Sequence, residues 1–290
     1  MAEQQLTPFQ TVNDPWTCPT CNNAVHSPHC PVCGEGFPDG RDLTLRNLLK
    51  QLASALTEVD GRLIHSFRCA VMQPGNLTVA FHRGQRKSFL MPLQMFFIAN
   101  VFFFAMQALT GEKIFSTPLE SHLRSDIWGP IAQHLVTRHL ATTNTTTDLY
   151  APVFNQAVAV NSKSLIILMA MSFALLLPIV FLRSRCPFVV HVVFSLHLYV
   201  FVLLLFCIAL MIAGADAWFG GAGLSSPGFD HALSVILLLA CAAYLYKAIG
   251  TVYGARGPNR FLKVVVLTVA LAVNVLAYRF VLLPITLYST

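Results

Sequence analysis

The sequence predicts an all-α polytopic membrane protein of about five transmembrane helices, preceded by a small cysteine-rich module and an amphipathic interfacial helix. Three observations carry this. Of 290 residues, 55% are hydrophobic and 11% charged, with a mean hydropathy of +0.62, whereas a soluble domain is about a quarter charged. The apolar residues fall in runs of roughly 20, the length a helix needs to cross a hydrocarbon core of ~30 Å. Four of the eight cysteines crowd into residues 18–33, while Cys69, Cys186, Cys207 and Cys241 follow no common spacing.

The cysteine-rich module, within residues 1–40, reads WTCPTCNNAVHSPHCPVCGEGFPDG from residue 16 and is too short to bury a core. Cys18-Pro-Thr-Cys21 and Cys30-Pro-Val-Cys33-Gly34 put two thiolates on each of two tight turns. Four soft ligands can then converge at about 2.3 Å on a tetrahedral Zn²⁺, so Cys18, Cys21, Cys30 and Cys33 are expected to form a structural zinc ribbon. Two disulfides or an iron–sulfur centre are the alternatives. A shell of four thiolates leaves no open coordination position, which points to a folding role for the metal.

Residues 41–88 form a second unit. From 42 to 72, Leu45, Leu48, Leu49, Leu52, Leu56, Val59, Leu63 and Phe67 recur at steps of three and four between Arg46, Lys50, Arg62 and Arg68. This is the pattern of a basic amphipathic helix, lying on a leaflet or packed on its neighbours. The cluster Arg83, Arg86 and Lys87 then marks an entry to the membrane.

The membrane domain, residues 89–290, divides into spans at about 89–109, 165–182, 188–215, 231–249 and 264–287. Pro92 suits the first turn of the first span, and Pro178 predicts a kink in the second. Residues 110–163 read as a polar, Thr-rich periplasmic segment with a moderate helical pattern around Leu119 to Leu140; its His122, His134 and His139 lack the i, i+4 spacing of a helical metal clip. Eight Lys and Arg precede the first span, two (Arg183, Arg185) follow the second, and four flank the loop after the fourth, so 14 of the 19 fall on one side. That asymmetry predicts an inner-membrane protein with the N-terminus cytoplasmic and the C-terminus periplasmic. It also assigns the net charge of +6 to topology and lipid headgroups; nucleic acid is not expected.

A series of short motifs runs along the chain: the paired CxxC turns, Glu58-Val-Asp60-Gly61-Arg62-Leu63, Gln73-Pro74-Gly75, Arg83-Gly84-Gln85-Arg86-Lys87 leading to Pro92, and Val190-His191-Val-Val-Phe194-Ser-Leu-His197. Tyr246 to Gly254 completes it. In this order the chain resembles a family of bacterial zinc-ribbon inner-membrane proteins of unknown function, with a G-x-R-K entry to the first span and an H-x-x-F-x-x-H helix. The resemblance covers nearly the whole chain and implies the architecture; it implies no activity and no site residues beyond the ribbon cysteines.

His191 and His197 lie about 9 Å apart along the third span and about 120° apart around it, at 1.5 Å and 100° per residue. Ionisable groups at such depth are functional candidates. A polar site with Asn100 and Asn274, hydrogen-bonded helix packing with those residues, and an anionic-lipid site of Arg83, Arg86, Lys87, Arg183 and Arg185 are the readings they allow. No phosphate-binding loop, nucleophile elbow, dinucleotide fingerprint or intramembrane carboxylate pair occurs, so no catalytic residues are assigned and the chain leans away from an enzyme. The function expected is an adaptor, scaffold or assembly factor, with membrane lipids and a protein docked on the ribbon as partners and oligomerisation open. A transporter or channel, or a lipid- or quinone-handling enzyme using the histidines, is the alternative.

Overall fold

The computed structural model describes residues 15–36, 61–85, 87–111, 114–182, 184, 186–221 and 223–290. Most of the expected amphipathic helix (residues 42–60), with Arg86, Arg183 and Arg185, lies outside the described residues.

The N-terminal module pairs β1 (Trp16–Thr17) with β2 (Ala24–Val25) antiparallel, Trp16 opposite Val25. Its small core is Trp16, Val25 and the cysteines. Next comes a helical hairpin, α1 (Arg62–Met72) and α2 (Asn76–His82). Its turn, Gln73-Pro74-Gly75, breaks the helix because Gly75 has a φ of +89°. A Cβ at Gly75 would stand 2.9 Å from the carbonyl oxygen of Ala248 and 3.0 Å from Cβ of Thr251. Glycine therefore lets the hairpin press onto backbone that is more than 170 residues away in sequence.

Among the described residues, four helices are long and apolar enough to cross a bilayer alone: α3 (Pro92–Thr110), α8 (Phe188–Trp218), α9 (Pro227–Tyr253) and α10 (Gly257–Ser289). A bent pair, α6 (Thr147–Leu165) and α7 (Ile167–Val180), which meet at 45°, makes a fifth crossing if taken as one broken span. The chain is thus a polytopic helical protein of four to five spans. The bend falls at Ile166, not at Pro178, which sits in the last turn of α7. Within residues 110–163, α4 (Leu119–Leu123) and α5 (Gly129–Thr143) fall where the helical pattern around 119–140 places them, and all but the end of α6 lies there as well. This segment is amphipathic enough to pack yet too polar to read as a span.

Every residue from Val189 to Leu203 is buried. A helix apolar on all sides belongs in the middle of a bundle, and α8 is that axial helix, packed against α3 and α7. By contrast α10 buries a single stripe, Val264, Leu267, Thr268 and Leu271, and leaves Val265, Val266, Val269 and Val273 facing outward. Such an outward face is what lipid contacts require.

Side-chain contacts fix the directions. Near the first residues of α3 and α8, Met91 packs with Phe81, Val189 and Val193; at their far ends a Cβ on Gly214 would lie 3.1 Å from Thr110. These two helices run parallel. His191 at the start of α8 meets Tyr253 at the end of α9, and Lys263 at the start of α10 lies over Phe181 just beyond α7. Asn161 on α6 bonds Thr286 near the end of α10. The crossings therefore alternate in direction, with the cysteine module and the α1–α2 hairpin at one end and α4–α5 at the other.

Candidate metal centre and membrane polar residues

Each CxxC turn is built alike. The carbonyl of Cys18 accepts from the N–H of Asn22 at 2.9 Å, and that of Cys30 from Gly34 at 2.6 Å; the N–H groups of Cys18 and Cys30 donate to Asn23 and Glu35. Asn22 and Gly34, at the same place in the two turns, both have positive φ, 58° and 69°. Asparagine and glycine tolerate this conformation best.

The turns bring Sγ of Cys18 within 3.4 Å of Cys33 and Sγ of Cys21 within 3.5 Å of Cys30. All four sulfurs lie within 4.8 Å of one another. Thiolates ~2.3 Å from a tetrahedral ion stand ~3.8 Å apart, so the cluster fits a metal ion. The backbone N–H of Cys33 helps push the Cys30 thiol down to about 6. Cys33 is pushed up to about 12: the N–H of Glu35 acts against this, but desolvation and the neighbouring thiols outweigh it. Four sulfurs this close cannot all ionise without a cation between them.

The module is tied to the membrane domain. Gln85 donates its side-chain N–H to the carbonyl of Pro19. Buried Glu35 accepts from Thr20 at 2.7 Å and from the backbone N–H of Lys87 at 3.4 Å. The Lys87 side chain runs past Gly34, where any Cβ would collide with its Nζ. Arg83 is exposed at the end of α2.

His197 is 4% exposed, about 14 Å into α8 at 1.5 Å per residue. Its Nδ1 lies 2.9 Å from the hydroxyl of Thr78 on α2. With Leu77, Phe81, Gln85, Phe89, Leu90, Met91 and Pro92 it lines a small cleft between the hairpin and the start of α3. His191 Nδ1 is 2.8 Å from the Tyr253 hydroxyl. Tyr253 also stacks on Phe181 at 3.8 Å, and Lys263 caps that ring at 4.4 Å.

Asn100 serves the break in the bent crossing, while Asn274 ties α10 to α7 and α8. The Ser162 and Lys163 carbonyls end α6, and the residues four further on, Ile166 and Ile167, fall at the break. Tyr278 donates to Ser162 O at 2.8 Å and Asn100 to Lys163 O at 3.3 Å. Asn274 donates to Met169 O at 2.8 Å and to Tyr199 at 2.7 Å, and Ser195 donates to Ala170 O at 2.6 Å. Freed backbone groups in a membrane must find partners inside the protein. Among the described residues, His191, His197, Asn100 and Asn274 thus do not join into one hydrogen-bonded site.

Thr78, Tyr253 and Gln85 are the partners that the sequence reading missed. The motif Gln73-Pro74-Gly75 was the available signal: a helix break just before an apolar segment, Leu77 to Phe81, with a close-approach glycine at its head.

Fold and site together define a class: a polytopic helical membrane protein with an N-terminal four-cysteine cluster capable of holding a metal ion. A family model described as "Protein of unknown function (DUF3667)" matches residues 60–104, which are α1, α2 and most of α3. Among curated proteins and solved structures none matches the chain.

Proposed function

We propose that this is a zinc-ribbon membrane protein of the bacterial inner membrane, acting as an adaptor or assembly factor with no catalysis of its own. The carrying observation is the four-sulfur cluster, compact enough for one ion, in a module tied to the membrane entry through Gln85 and Lys87. Four thiolates close the coordination shell of zinc, so the metal folds the module and does no chemistry. The anchored ribbon then holds its outer side, where Val32 is 67% exposed, in a set position for a protein partner. The N-terminus lies in the cytoplasm and the C-terminus in the periplasm, in keeping with the alternating helices and with Lys87, Arg256, Arg260 and Lys263 at the ribbon end. Arg83 and Lys87 contact anionic headgroups there.

Elemental analysis of the purified protein in mild detergent, followed by cross-linking in membranes, tests this. One zinc per chain is expected in the wild type and none in Cys18→Ser/Cys33→Ser, with a cross-linked protein lost in parallel. Iron in place of zinc would overturn the metal assignment. An unchanged cross-linking pattern in the zinc-free variant would overturn the adaptor reading.

A further inference from the structure

Between α2 and α3, Gln85 and residues 87–91 form a short strap that is held from two sides. Its first part is held by the cysteine module: the Gln85 side chain donates to the carbonyl of Pro19, and the Lys87 N–H donates to the Glu35 carboxylate at 3.4 Å. Both acceptors sit in the cysteine turns. Pro19 lies between Cys18 and Cys21. Glu35 follows Cys33 by two residues, takes the Thr20 hydroxyl on its carboxylate at 2.7 Å, and accepts the Cys30 N–H on its carbonyl at 2.7 Å. The second part of the strap is held by α1: the Leu90 N–H donates to the Ser66 hydroxyl at 2.9 Å, and the Phe89 ring stacks on His65 with 5.2 Å between ring centres.

The same strap lines the cleft that contains His197, through Gln85, Phe89, Leu90 and Met91. The Gln85 backbone stays with α2, its N–H 2.9 Å from the Ala80 carbonyl, so the module fixes the side chain alone. The core of the module is small, Trp16 and Val25 with the cysteines themselves. Its turns therefore depend on the ion that four sulfurs within 4.8 Å of one another can hold. Without a cation the thiols have nothing to gather them, and the Pro19 carbonyl and Glu35 carboxylate lose their set positions. The contacts with His65 and Ser66 do not pass through the module and persist.

We infer that the strap is a metal-controlled gate on the His197 cleft. The loaded module holds the Gln85 side chain as part of the cleft wall; loss of the ion releases it, while Phe89 and Leu90 stay docked on α1. This rests on the reading of the module as a metal site. Linkage makes the device reciprocal: a contact that the ion sets in place strengthens ion binding by the same factor.

The test uses the full-length protein in detergent, with and without a chelator, and two variants. Gln85→Leu removes the donor, and Gln85→Glu keeps the size but turns an acceptor toward the Pro19 carbonyl. Chelator competition should show metal binding weakened about two- to tenfold in Gln85→Leu, the worth of one net hydrogen bond, and at least as much in Gln85→Glu. Carbethoxylation of His197 by diethyl pyrocarbonate, read by peptide mass spectrometry, should be slow in the loaded wild type, severalfold faster after chelation, and fast already in loaded Gln85→Glu. Wild-type metal affinity in both variants, or a His197 rate that ignores the metal, would overturn the gate. The two readings fail differently: a chain that binds no ion sinks the metal site, whereas a chain that loads and unloads its ion with His197 equally shielded sinks the gate alone.

Discussion

The Thr78 hydroxyl and His197 Nδ1 stand 2.9 Å apart, joining a seven-residue helix to the axial helix of the bundle. Both groups are buried, Thr78 at 1% and His197 at 4% exposure, so each depends on the other. Thr78→Val should lower stability by about 1–3 kcal/mol, because it strands a buried imidazole nitrogen. Thr78→Val with His197→Leu should recover most of that loss. Thermal unfolding in detergent measures both; a double variant as unstable as the sum of the singles would give His197 a further partner.

Gly75 and Gly111 separate the two uses of a left-handed glycine. Both have positive φ, but a Cβ at Gly75 would strike the Ala248 carbonyl and Thr251, while nothing lies within 4 Å of one at Gly111. Gly111→Ala should cost about 1 kcal/mol, the backbone penalty alone. Gly75→Ala should cost clearly more, since the hairpin must lift from α9. Comparable melting shifts for the two variants would contradict the close packing.

Chelation should act locally. The amides of Asn22 and Gly34, held in the cysteine turns, should lose hydrogen-exchange protection when the metal is removed, while those between Val189 and Leu203 keep theirs. Acid should have the same effect, because thiolates must be deprotonated to bind. Exchange mass spectrometry with and without chelator reads this directly; loss of protection throughout α8 would mean that the ribbon supports the whole bundle.

His122 gives stability a pH dependence of known sign. Its folded pKa is lowered to about 4 from an ordinary 6.5, first by burial and then by Arg279. Between these values the unfolded chain binds the extra proton, so this contribution is present above about pH 6.5 and is lost as pH falls toward 4. The thermal midpoint should fall over that window, and His122→Phe should flatten the fall. An equal slope in the variant would assign it to other groups.

Much of the site was readable from residue order because the information was local. Two CxxC pairs eight residues apart can reach one ion whatever the rest of the chain does, and the structure gathers their sulfurs within 4.8 Å. The membrane histidines were recognisable as unusual, since polar groups are costly in an apolar run, but their partners were not. Thr78 is 119 residues from His197, and Tyr253 is 62 from His191. Nothing in the local pattern distinguishes Asn274, which ties α10 to α7 and α8, from a residue that could have faced a histidine.

By itself the sequence determined how many apolar segments must be removed from water and where four thiols can meet, because helix length and tight-turn geometry depend on near neighbours alone. Only the tertiary structure decided that residues 76–82 pack on α8 and α9, that the second crossing breaks at Ile166, and that His122 and Arg279 share a buried region. Each of those outcomes depends on which distant side chains come into contact, and that pairing exists only once the helices have packed.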